Sequence, residues 1–141
     1  MKNIEILAPV GSFESLAAAV QAGANAIYFG VEQLNMRARA ANNFTLEDMV
    51  TVVNKCKENG IKAYLTLNTI LYDHDIQLMR RLVRKAEDSG IDAVIASDFA
   101  VMHEAKTIGL PVHISTQANI SNVETVEFFA PFADVVVLAR E

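Results

Sequence analysis

Four times in this chain a glycine that ends a helical pattern stands just before a short apolar run. The runs are Gly23-Ala-Asn-Ala-Ile-Tyr, Gly60-Ile-Lys-Ala-Tyr-Leu, Gly90-Ile-Asp-Ala-Val-Ile and Gly109-Leu-Pro-Val-His-Ile. Glycine at such a point supplies the left-handed residue that closes a helix. The runs that follow read as strands. Strands that alternate with helices through short connections lie parallel and are joined by right-handed crossovers. The spacing of the repeat varies too much for a solenoid. Two architectures remain: an open doubly wound sheet, or part of a (β/α)₈ barrel.

Taken in order, Ile4–Ala8 reads as strand one. Helix one runs from about Phe13 to Ala22, with Phe13, Leu16, Ala17 and Val20 on one face. Ala26–Phe29 is strand two, and a longer loop from Gly30 carries Asn35, Arg37, Arg39 and Asn42. Thr45-x-x-Asp48 opens helix two, which ends at Asn59-Gly60. Ile61–Leu67 is strand three, and Asp73 starts helix three with an Ile76, Met79, Leu82, Val83, Ala86 stripe. Ala93–Ala96 is strand four, and Ser97-Asp98 caps helix four. Val112–Ser115 is strand five, Val123–Phe129 helix five and Asp134–Leu138 strand six. The spacing Ser121-x-x-Glu124 predicts a capping box for helix five.

A closed barrel takes about 250 residues. The 141 residues here supply about six strands and five helices and stop directly after a strand. The expectation is therefore an α/β fold, a partial TIM (β/α)₈ barrel, with residues 1–141 as the N-terminal portion of one barrel domain. Apolar residues at 52% and charged residues at 21% suit a globular core rather than a disordered chain. A net charge of −5 disfavours non-specific binding to nucleic acid or anionic membrane. No apolar run approaches the roughly 20 residues of a membrane span. The N-terminus, interrupted by Glu5 and Pro9, has no signal-peptide core. The lone Cys56 provides neither a disulfide framework nor a cysteine-rich metal site, which fits the cytoplasm.

Val112–Asn122 carries the densest polar cluster, at the end of a strand and in the loop leaving it. In α/β folds that edge is where chemistry is placed. His113, Ser115 and Gln117 are the catalytic candidates, with Thr116 and Asn119 beside them as binding residues. His113 is otherwise a hydrogen-bonded core histidine. No Ser/His/Asp order or nucleophile-elbow spacing is present. Arg37 and Arg39 could clamp a carboxylate or phosphate, or stand solvated. Asp73, His74 and Asp75 are adjacent and share no helix face, so no metal site is expected there. Arg80, Arg81, Arg84 and Lys85 read as a solvated outer face against an RNA-contacting patch. Gly11-Ser12 offers an anion-binding turn or a plain N-cap. Cys56 reads as a small hydrophobe.

Several stretches resemble the collagenase-like peptidase family, peptidases of unassigned catalytic type. They are Glu5–Ser12, Gly23–Gly30, Leu34–Ala40, Asn43–Thr45, His113–Gln117 and Val137–Glu141, and they span the chain in order. The resemblance extends to prephenate-dependent tRNA uridine hydroxylation proteins, ribosomal-RNA cytidine hydroxylation proteins and oxygen-independent ubiquinone hydroxylation factors. It implies a longer protein whose cysteine-rich region, lying after Leu138-Ala-Arg-Glu141, holds an iron–sulfur cluster in hydroxylation-linked members. This chain stops before that region, so no cofactor is expected within it, and alone it should be inactive. Three functions follow as expectations: RNA modification by tRNA uridine hydroxylation in the full-length form, peptide-bond hydrolysis, or a non-catalytic substrate- or partner-binding module. The substrate is expected to be a small molecule or RNA.

Strand parity predicts which side chains face the lumen. One set is Glu5 and Leu7, Tyr28, Tyr64 with Thr66 and Asn68, His113 with Ser115 and Gln117, and Arg140. The other set includes Ile4, Ile6, Ile27, Phe29, Ala63, Leu65, Leu67, Val112, Ile114, Val135 and Val137, and it is wholly apolar, as helix stripes require. The polar set predicts an upper-lumen pocket lined by Tyr28, Asn68, His113, Ser115, Gln117 and Arg140, with Arg37 and Arg39 arriving from the loop. Glu5 is expected near the floor. Unpaired edges on strands one and six predict self-association into a homo-oligomer.

Overall fold

A computed structural model describes residues 4–31, 34–35 and 44–140. Its elements are β1 (Leu7–Pro9), α1 (Phe13–Gln21), β2 (Ala26–Phe29), α2 (Leu46–Glu58), β3 (Lys62–Leu67), α3 (Ile76–Ser89), β4 (Ala93–Ala96), α4 (Phe99–Thr107), β5 (Val112–Ile114), α5 (Val123–Phe129) and β6 (Val135–Val136). Short 3₁₀ turns precede α3, follow β5 and follow α5. All six strands are parallel and pair in sequence order. The architecture is thus α/β, a half-barrel of six strands and five helices.

The helix ends follow local chemistry. Thr45 and Asp48 make the reciprocal capping box that opens α2, at 3.2 and 2.9 Å. Ser12 and Ser15 do the same for α1, and the Gly11 and Ser12 amides both donate to Ser15 Oγ at 3.0 Å. Those amides are therefore spent on the cap rather than left for an anion. Asp98 accepts from the Ala100 amide and from Leu71 N, joining the β3–α3 loop to the start of α4. The cap of α5 differs from expectation: Asn122 Oδ1, not Ser121, accepts from Thr125 N at 2.9 Å. Asparagine and serine cap equally well, so the sequence pattern did not separate neighbouring registers. Asp73 caps nothing; it opens a 3₁₀ turn in which Asp75 accepts from Tyr72 N. On α1, Leu16 and Ala19 are buried while Ala17 is exposed.

The main core lies between sheet and helices. Ile27, Phe29, Leu65, Leu67, Val94, Ala96, Val112 and Ile114 meet Met79, Leu82, Val83 and Ala86 of α3 and their counterparts on α2 and α4. Each fully buried aliphatic side chain contributes about 1.5–3 kcal/mol. A second, smaller cluster of Ala26, Tyr64, Ala93 and Ile95, with Tyr28, occupies the opposite face. That face is concave. Asn68 and Ser115 lie at the ends of β3 and after β5, two strands apart, yet Asn68 Nδ2 donates to Ser115 Oγ at 3.4 Å. In a flat sheet strands that far apart are about 9.6 Å from one another, too far for two short side chains.

β1 begins three residues later than expected and includes Pro9, whose missing N–H is tolerated on a sheet edge. β6 is only two residues long, and its parity is the reverse of that expected. His113 pairs with Val135 and Ile114 with Val136, so Val136 packs on the helix side. Val137 lines the lumen. Paired residues in register share a face, and this pairing, not the run of the sequence, decides the sides of so short a strand.

Candidate functional site

The lumen is built from a hydrogen-bonded floor and a polar rim. At the floor the Tyr64 hydroxyl donates to Glu5 Oε1 at 2.9 Å, and Lys62 Nζ lies 3.8 Å from Glu5 Oε2. The His113 ring meets Tyr64 edge-on, with centroids 4.6 Å apart. Burial holds the His113 imidazole below its usual pKa; the Glu5 and Asp134 carboxylates oppose this and Lys62 adds to it. Burial, the hydrogen bond to Glu5, and the charges of Glu5 and Asp92 push the Tyr64 hydroxyl up. At neutral pH the floor thus presents a neutral phenol and a neutral imidazole turned toward each other.

Above the floor, Thr66 of β3 is 9% exposed and its Oγ1 has no hydrogen-bond partner. At the rim, Ser115 Oγ accepts from Asn68 Nδ2 at 3.4 Å and from the Gln117 amide at 3.3 Å. Ser97 Oγ holds the Asn68 carbonyl at 3.1 Å. Asn35 is buried, donates to the Val31 carbonyl at 3.4 Å, and presses on Gly30, where a Cβ would stand 2.4 Å from Asn35 Cγ. Glycine is needed there for the close approach. These groups surround a cleft of about 380 Å³. A second depression of about 350 Å³ shares Asn68 and Gln117 and continues over Ser97, Asp98 and Ile70.

Of the expected site residues, the structure brings Tyr28, Asn68, Ser115, Thr116 and Gln117 together around the cleft. It does not bring in three others. His113 lies below, against Tyr64. Asn119 is exposed and sits in the left-handed region at φ 54°, ending the 3₁₀ turn after β5. Arg140 is exposed and is not among the residues lining the cleft; the parity that assigned it to the lumen is reversed by the pairing of β6 with β5. Arg37 and Arg39 fall outside the described residues. Leu7, Asn35, Thr66 and Val137 line the cleft without having been singled out as site residues. Parity put Leu7 and Thr66 on the lumen side; the signal for Asn35 was the neighbouring Gly30.

Other candidates resolve structurally. Arg80 and Arg84 Nε lie 3.5 and 3.6 Å from the two oxygens of the nearly buried Glu104, tying α3 to α4. His74 is exposed, pairs with Asp75 at 3.5 Å and stacks on Tyr72. Cys56 is fully buried in the core, and burial, with Asp92 adding, pushes its thiol up to about 11. Among the described residues no helix is long and apolar enough to cross a membrane.

Residues 11–141 match the description of peptidase family U32. The chain belongs to this family. It is 57% identical over its full length to a Porphyromonas gingivalis protein named collagenase, of which it covers 34%. It is 32% identical, over 99% of its length, to tRNA hydroxylation protein P1 of Bacillus subtilis, again covering 34% of that protein. The chain thus spans about a third of the length of these relatives. Among solved structures, the U32 peptidase Mk0906 superposes with a TM-score of 0.78 at 17% identity, over 96% of this chain and 58% of that one. This likeness establishes the shared fold.

Proposed function

We propose that the protein acts, in its full-length form, in RNA modification by hydroxylation of a tRNA uridine. Residues 1–141 would form the N-terminal portion of one barrel domain and supply part of its substrate pocket. The observation that carries this reading is the Ser115 hydroxyl. It accepts from the Asn68 amide and the Gln117 N–H, while the His113 ring packs edge-on against Tyr64. A serine nucleophile needs a base within hydrogen-bond reach, and Ser115 has amides instead. Amides and hydroxyls at a concave site suit recognition of an uncharged hydrogen-bonding substrate. The name of the Bacillus subtilis relative supports the same reaction class.

The residues of this chain do not fit an iron–sulfur cluster, since the sole cysteine, Cys56, is closed within the α2 core. Any such cluster would be held by residues beyond these. The same reduced, buried cysteine supports a cytoplasmic setting. A second reading, peptide hydrolysis, is favoured by the 57% identity to the protein named collagenase. Nucleoside profiling of a deletion strain, together with a gelatin assay of the purified full-length protein, separates the two. Loss of a hydroxylated uridine without proteolysis is expected. Normal nucleosides with clean proteolysis would reverse the assignment.

A further inference from the structure

We infer that four phenylalanines in the seam between α4 and α5 form the docking surface for the part of the full-length polypeptide that lies outside the barrel. Phe99 opens α4, Phe128 and Phe129 end α5, and Phe132 closes the 3₁₀ turn that follows. Phe99 stacks on Phe129 with planes 16° apart and meets Phe132 edge-on, each at a centroid distance of 5.8 Å. Phe128 meets Phe129 at 5.4 Å and Phe132 at 6.2 Å. Rings that hold one another in place have little side-chain freedom left to lose on binding. Yet Phe99 is 52%, Phe128 61% and Phe132 36% exposed. Single apolar residues on a surface are ordinary; a contiguous cluster of large ones marks a place where something binds.

Position, area and length narrow the occupant. The open edges of the sheet are β1 and β6, and the strands and helices that complete a barrel join there. The phenylalanines lie one strand in from the β6 edge, so closure of the barrel leaves them bare. With about 200 Å² for a whole phenylalanine side chain, the exposed fractions amount to roughly 300 Å². A stable dimer needs about 800 Å² from each partner. Contacts between domains of one chain begin at about 600 Å² in total, half from each side. A tether makes so small a contact sufficient, because it holds the second surface at an effective concentration in the millimolar range. The chain covers 34% of the relative named collagenase, which therefore runs to about 410 residues. A barrel takes about 250 of these, which leaves roughly 160 outside it. The rim around the rings is charged with both signs, Glu124 and Glu127 on α5 and His103 and Lys106 on α4. It has no single sign to draw a phosphate backbone or an anionic lipid surface. An apolar centre inside a polar rim is the anatomy of a protein–protein contact.

The test places the photo-crosslinker p-benzoylphenylalanine at position 128 of the full-length protein and maps the products by mass spectrometry. A cross-link within one polypeptide to residues beyond the barrel is expected, with a yield that does not change with protein concentration. A cross-link to a second copy, with a yield that rises with concentration, would overturn the proposal. So would a cross-link to the later helices of the barrel itself, or none to any polypeptide. In parallel, Phe128→Lys is compared with wild type by limited proteolysis at the junction between the barrel and the outer segment. Loss of an aromatic anchor should speed cleavage there about tenfold, since cleavage follows the undocked population. The barrel should keep its melting temperature, because this ring is mostly exposed on the barrel and a lysine four residues after Glu124 suits the helix. Unchanged cleavage would also overturn the docking role. The cross-link is read without that variant, so it decides the question even where Phe128→Lys fails to fold.

Discussion

Asp92, one residue before β4, accepts a hydrogen bond from the Ala63 amide near the start of β3 at 2.8 Å. The relationship recurs at every second strand. Asp134 before β6 accepts from Val112 N at 2.9 Å, and Asn25 before β2 accepts from Ile6 N at 2.7 Å. Each side chain satisfies an amide that begins the preceding strand, where no ladder partner is yet available. The sheet is clipped in pairs, β1 with β2, β3 with β4, β5 with β6. Asp92→Ala should therefore destabilise the protein by about 1–3 kcal/mol, the cost of an orphaned amide and a lost charge-assisted bond. Asp92→Asn should retain most of the stability. Urea unfolding of the two variants checks this, and equal midpoints would remove the role assigned to the carboxylate.

Gly30 and Asn35 make a second testable contact. A methyl at Gly30 would fall 2.4 Å from Asn35 Cγ. Gly30→Ala should drive the Asn35 carboxamide from its place at the cleft, at an overpacking cost of about 1–3 kcal/mol. Gly30→Ala combined with Asn35→Gly should recover much of that cost. Thermal melts of the single and double variants decide it.

His113 links stability to pH. Its pKa is lowered in the folded state, chiefly by burial. The unfolded chain then binds the proton more readily, so acid favours unfolding. The contribution is complete above about pH 6.5, the ordinary histidine value. It is lost progressively as pH falls through 6.5 toward the lower folded value. His113→Gln should flatten the part of the stability profile between about pH 5 and 7 that this group supplies. Denaturant midpoints across that range, wild type against variant, measure it; parallel profiles would contradict it.

Cys56 should be chemically silent. Full burial and a thiol pKa near 11 leave almost no thiolate at neutral pH. Labelling with a thiol-reactive disulfide reagent should proceed only as fast as the protein opens. Adding about 4 M urea, beyond the unfolding midpoint expected of such a domain, should raise the rate by several orders of magnitude. Rapid labelling of the native protein would show that the α2 core is not closed.

Leu7 on β1, with Val135 and Val137 beside the other edge, is exposed on the open side. Unpaired parallel edges and such apolar side chains favour association. The 141-residue chain by itself should form dimers or larger species at micromolar concentration, and Val137→Lys should lower that tendency. Light scattering that finds a monomer throughout would dismiss the expectation.

The class of fold was written in the sequence because its cause is local. Glycines at Gly23, Gly60, Gly90 and Gly109 all take positive φ and end helices just before strands. Strict alternation on β3 sorted Ala63, Leu65 and Leu67 to the helices and Tyr64, Thr66 and Asn68 to the lumen. Curvature, and with it the cleft, belongs to the tertiary structure alone. Asn68 and Ser115 are 47 residues apart, and only the bend of the sheet brings them within 3.4 Å. The sides of β6 were likewise decided by its pairing with β5, because two residues carry no period of their own. Nor did the arginines of α3 announce their partner. Arg80 and Arg84 meet Glu104 across a helix packing, and such a contact depends on where two helices cross rather than on the spacing within either one.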